Sequence, residues 1–117
     1  LAASGGTAVT LPAATGTGNK YRFVVTVASN ANTWVTSAAT QYFAGMALIN
    51  AVGDTTAATV DAFRATSTTT NKIAPTTAGG GGTIGDIVEV EDVLSAGWYV
   101  KCLFQTATDP ATPFTTQ

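Results

Sequence analysis

The residues able to do chemistry in this 117-residue chain are few, and most of its carboxylates gather in one stretch. Asp86, Glu89, Glu91 and Asp92 stand within seven positions. On an extended backbone Glu89 and Glu91 point to the same face, so one reading is a Ca²⁺ ion held between them. Calcium takes about six to eight oxygens, usually from a loop of fixed spacing, and that spacing is missing. The preferred reading is a solvated, charged strand face that also resists edge-to-edge pairing. The preceding "GGGGTIGD" has the glycines of a phosphate-cradling loop. Such loops lead into a helix N-terminus with a Lys in place, whereas Thr83 leads into a strand, so phosphate binding is set aside.

Histidine is absent and Cys102 is the single cysteine. General acid–base and nucleophilic sites most often draw on histidine, and one cysteine makes neither an internal disulfide nor a cysteine-rich metal centre. The expectation is a protein that is not an enzyme and uses no cofactor or metal. Cys102 lies among apolar neighbours and reads as a small buried hydrophobe. Trp34, Tyr42, Trp98 and Tyr99 could form a platform for stacking sugar rings. For both tryptophans core packing is the preferred alternative, Trp98 anchoring the start of its strand.

The elements that would position these residues are strands. From Lys20 the chain alternates cleanly, with Tyr21, Phe23, Val25 and Val27 on one side and Arg22, Val24 and Thr26 on the other, the period of a half-buried strand. "SNAN" (29–32) is turn chemistry, and a strand over Thr33 to Ala38 follows. "TQYFAGMALINAVG" has helix-forming Ala, Met and Leu, but Gly45 and the short length favour strand. Around "TVDAFRATS", Val60, Ala62 and Arg64 face one way and Asp61, Phe63 and Ala65 the other. A short strand at Lys72-Ile73 precedes Pro75 and the glycine run 79–82, which is expected in a surface loop. Two more strands, Asp86 to Val93 and Trp98 to Thr106, are joined by "LSAG", where Gly97 supplies backbone freedom for a hairpin. In the second of them Trp98, Val100, Cys102 and Phe104 share a face, and Tyr99, Lys101, Leu103 and Gln105 take the other. Leu1 to Gly18 reads as an extended arm, and "TDPATPFTTQ" as an extended strap leaving the sheet.

Short strands with Gly, Asn or Pro breaks predict an all-β fold, a single β-sandwich or barrel-like domain over 19–106, with an N-terminal arm over 1–18 and a C-terminal strap over 107–117. The hydrophobic content of 45% supports one core and argues against disorder. Charged residues are only 10% of the chain, five basic and seven acidic, well below the quarter or so of an average domain. That balance excludes a nucleic-acid surface, which needs clustered cations. No apolar run is long enough to span a bilayer as a helix. A surface of threonine and alanine in place of charge suits either a β-sheet exterior or a surface covered by neighbours.

The opening "TLPAATGTGNKYRFVV" and the closing "GDIVEVEDVLSAGWYVKCLF", taken together and in order, resemble small all-β virion proteins of tailed bacteriophages, especially capsid decoration (cement) proteins and related head-fibre domains. The resemblance implies a structural protein on the exterior of the capsid. It would bind the major capsid protein, commonly as a homotrimer at threefold positions, and clamp neighbouring subunits together. Leu1, Val9, Leu11, Pro12 and Phe114 are the expected contacts with other subunits or the capsid, since arms cannot bury their own apolar residues. A head- or tail-fibre β-domain recognising a host surface glycan is the alternative. A bacterial adhesin-like domain, favoured by the threonine content, is a third.

Overall fold

The computed structural model describes residues 6–29, 31–35, 40–51, 60–66, 68–74 and 82–116. Among them the chain is all-β without helices, and nine strands form two mixed sheets, neither closed into a barrel. In the five-stranded sheet the order is β2 (Lys20–Val24), β7 (Ile87–Leu94), β8 (Gly97–Thr106), β4 (Tyr42–Ala51) and β5 (Val60–Ala65). The four-stranded sheet runs β1 (Ala8–Thr10), β3 (Thr33–Val35), β6 (Lys72–Ile73) and β9 (Phe114–Thr115). Each sheet contains one parallel pair, β4 with β8 and β1 with β3.

The alternation in the sequence places side chains as expected. In β8, Trp98, Val100, Cys102 and Phe104 are buried while Tyr99, Lys101, Leu103 and Gln105 are exposed. The ambiguous segment over 42–51 is strand throughout. Register brings Phe23, Val88, Cys102, Ala47 and Phe63 into one inward row across all five strands. The facing sheet contributes the row Val9, Trp34, Ile73 and Phe114 across all four of its strands. Both rows belong to one apolar core, and the Phe23 and Trp34 rings, 6.2 Å apart, link the sheets. Both buried indole N–H groups lack an acceptor among the described residues, so apolar burial, about 2–3 kcal/mol per large side chain, is what holds the rings.

Two glycines set how closely β4 and β8 approach. Gly45 has φ of 143°, and a side chain there would run into the Val100 carbonyl. Gly97 was expected to lend the hairpin backbone freedom, but its φ is not positive. It is required because a Cβ would lie 2.6 Å from the Tyr42 carbonyl oxygen on the neighbouring parallel strand.

The two arms are corrected where they are described. Residues 8–10 form β1, and the tail, expected to leave the sheet, returns as β9. Leu11, only 2% exposed, and Phe114 are therefore buried by their own chain, and Val9 packs against the same core. Short as these strands are, pairing with β3 and β6 satisfies their backbone and delivers their apolar side chains inward. Removing residues 1–12 would accordingly open the core as well as an arm. Pro12 is exposed, and Leu1 lies outside the described residues. The strand expected over Thr33 to Ala38 is present over Thr33–Val35, its remainder being outside the described residues, as are 79–81 of the glycine run.

Candidate functional site

The outward face of the five-stranded sheet carries the charge of this sparsely charged protein. Four of the chain's five basic residues, Lys20, Arg22, Arg64 and Lys101, stand on it with two carboxylates, Glu89 and Glu91. Strand parity puts them there: Lys20 and Arg22 alternate with inward Phe23 on β2, and Glu89 and Glu91 alternate with buried Val88 and Val90 on β7. Antiparallel register then sets Lys20 opposite Glu91 and Arg22 opposite Glu89, and the pairs close at 3.1 Å and 3.4 Å. Exposed pairs of this kind are worth about 0–1 kcal/mol, so they order the surface more than they stabilise the fold. Glu89 and Glu91, the pair considered for calcium, are thus engaged by cations, and no group of three metal-binding side chains comes together among the described residues.

Lys101, across from Glu89 on β8, makes no ion pair among the described residues. These charges edge a cleft of about 320 Å³ whose floor is β2, β7 and β8 and whose aromatic side chain is Tyr99; Tyr21 adjoins it on β2 with its ring on the inward parity of Phe23. Tyr21 lies against Trp98 with ring centres 5.7 Å apart, whereas Tyr99 pairs with no ring among the described residues and is 45% exposed. Of the four aromatics considered as a sugar platform, then, Trp34 and Trp98 are fully buried, Tyr42 is half-buried, and Tyr99 alone is exposed.

Next to the charged row runs an apolar one. Val24, Ile87, Leu103, Leu48 and Ala62 lie in register across all five strands. Leu103 is 41% exposed, and Val60, two residues before Ala62 on β5 and on the same face, is 62% exposed. A second hollow of about 370 Å³ lies over this row between Leu48 and Val60 on one side and Ile87 and Leu103 on the other.

The other two carboxylates of the 86–92 stretch are structural. Asp86 and Asp92, each 1% exposed, were grouped with Glu89 and Glu91 as a solvated face; that reading holds only for the two glutamates. The signal was in the sequence, because Asp86 and Asp92 share the parity of Val88 and Val90. Asp86 accepts from the backbone amides of Gly82, Thr83 and Gln105 at 2.7–2.9 Å. Burial pushes its carboxyl above the usual range despite these three donors. Asp92 accepts from the Thr15 and Gly16 amides and the Thr15 and Thr17 hydroxyls at 2.7–3.1 Å. Burial opposes ionisation there too, but the four donors together outweigh it and hold the carboxyl below its usual range. Cys102 is fully buried, and burial, with a smaller contribution from the Asp86 charge, pushes its thiol far above the ordinary range.

Comparison with protein-family models, curated proteins and solved structures finds no match to this chain.

Proposed function

We propose that the chain is a non-catalytic structural domain of the phage-head decoration kind: a β-sandwich that docks on the outside of a capsid as a homotrimer and stabilises contacts between major capsid protein subunits. The resemblance of its opening and closing stretches motivates this reading. The observation that carries it is the outer sheet face, where an in-register apolar row across five strands lies beside a row of charges. Contiguous exposed apolar surface rimmed by charge is the chemistry of a protein-docking surface. Because the described parts of the arms are folded into the four-stranded sheet, the docking role moves from Leu11 and Phe114 to this face, with Pro12 still available as a contact.

Electron cryo-microscopy of virions of the phage that encodes the chain tests the reading. Density for the domain is expected at threefold positions on the head, and the variant Leu103→Lys is expected to leave capsids undecorated while remaining folded. A head surface without the domain overturns it. The second reading, a fibre domain that recognises a host glycan, is favoured by a separate observation: the cleft beside exposed Tyr99.

A further inference from the structure

We infer that the cleft over β2, β7 and β8 binds a carboxylated sugar, an acidic ring within a glycan. The inference rests on the glycan reading, names its ligand class, and does not require capsid docking.

Size comes first. At about 320 Å³ the cleft falls at the small end of ligand sites, roughly 300–1,000 Å³, which suits one or two sugar rings. Next is the aromatic surface. Tyr99 is flanked across the sheet by Ala44 on β4, a side chain too small to cover a ring, and the Tyr21 ring lies on the opposite parity, against Trp98. An exposed tyrosine of this kind offers the apolar face of a pyranose a stacking surface while its hydroxyl stays wet.

Charge then selects among sugars. Lys20 and Arg22 are matched by Glu91 and Glu89, and Lys101 is left over among the described residues. Three cations and two carboxylates line the cleft, so a guest with one carboxylate completes the balance by a charge-assisted hydrogen bond to the Lys101 ammonium. Glu89 and Glu91 retain lone pairs that accept from ring hydroxyls, which a neutral hydroxylated ring satisfies and a polyphosphate does not. One surplus cation suits a single carboxylate and is far short of the clustered cations that a nucleic-acid backbone needs, and the chain as a whole carries a net charge of −2. An extended peptide could join the sheet only along the outer edge of β2, since β7 and β8 are each paired on both sides, and there it would leave Tyr99 and Lys101, two strands away on β8, without a partner.

The test is titration of ¹⁵N-labelled protein with 3′-sialyllactose, trigalacturonic acid and neutral lactose, followed by amide shifts and calorimetry. Binding of either acidic probe, with shifts centred on Tyr99 and Lys101 and affinity falling as salt is raised, is the expected result. Lys101→Gln and Tyr99→Ala, both at exposed positions, are each expected to weaken it about tenfold. Arg64→Gln, on the same face but two strands away from Lys101, should leave it unchanged. Equal binding of lactose overturns the acidic-sugar inference while leaving the glycan reading standing. Binding of none of the three probes overturns the inference, and if a panel of neutral host glycans also fails to bind, the glycan reading falls with it and the cleft belongs to the protein-docking face.

Discussion

An aspartate stands near each end of β7, and the two are equally hidden from solvent yet held in opposite senses. Asp86, just before the strand, has three amide donors and a carboxyl pushed up by burial; Asp92, near its end, has four donors and a carboxyl held down. The donors differ in kind as well as number. Those on Asp86 are all backbone amides, two on one oxygen and one on the other. Those on Asp92 are two amides on one oxygen and two hydroxyls on the other, and hydroxyls can rotate to suit an anion. Asp86 is also the more deeply enclosed of the two by protein atoms, so desolvation outweighs three donors there, while at Asp92 four donors outweigh a lesser desolvation.

Asp86 ties more of the structure together, and its loss has the largest expected effect. It joins the segment at Gly82 and Thr83 to β8 at Gln105, and its own carbonyl accepts from the Val25 amide next to β2. Asp86→Ala strips three amides of their acceptor. At about 1 kcal/mol or more for each buried donor left unpaired, the expected loss is roughly 3 kcal/mol in urea unfolding. A loss near zero would mean that water or neighbouring groups take up the donors and that Asp86 pins nothing.

Asp92→Ala should act locally. The carboxylate gathers residues 15–17 onto the end of β7, but Leu11 and Ala14 are held independently by burial in the core. Amide exchange at Thr15 and Gly16 is expected to accelerate by about tenfold or more, while exchange at Val100 and Cys102 in the centre of β8 is unchanged. Faster exchange in β8 would show that the two ends of β7 fail together and that the comparison draws a false boundary.

The clearest separation of the two sites is in pH. A carboxyl whose folded value is raised favours the folded state below its unfolded value, near 4, and that advantage disappears as pH rises through the folded value. A carboxyl whose folded value is depressed contributes stability above the unfolded value and loses it as pH falls through the folded one. The stability gap between the natural protein and Asp86→Asn should therefore widen on acidification from pH 7 towards 3, and the gap to Asp92→Asn should narrow. Both gaps moving the same way would remove the distinction. Denaturant titrations at matched ionic strength decide it.

Much of the fold was legible because it is local. The alternation Trp98, Val100, Cys102, Phe104 states its own inward face, and the structure buries all four. In the four-stranded sheet β3 and β6 were legible but β1 and β9 were not, because these two strands are only two or three residues long and are recruited from positions as distant as Val9 and Phe114. Nothing in "TDPATPFTTQ" announces that Phe114 will lie opposite Ile73. The candidate site was partly legible. Parity places Glu89 and Glu91 on one face, but the pairing that brings Lys20, Arg22 and Lys101 around them depends on which strands become neighbours. The same parity put Asp86 and Asp92 inward; what hid them was the expectation that charge is solvated, which holds only when the backbone offers no donors.

The smallest expected effect comes from taking one donor from the Asp92 cluster. In Thr17→Val the side chain keeps its shape, the Asp92 Oδ2 retains the Thr15 hydroxyl, and Oδ1 retains both amides. The Thr17 hydroxyl also accepts from Asn19 Nδ2 at 2.9 Å, so its loss frees that amide as well, but at an exposed position where water replaces it. Global stability should scarcely move. The Asp92 carboxyl should nonetheless titrate at a higher pH in ¹³C carboxyl spectra, because three donors offset burial less fully than four, and Asp86 should titrate where it did before. An unchanged Asp92 titration would mean that the Thr17 hydroxyl adds nothing to the depression, which would then rest on the two amides and the Thr15 hydroxyl.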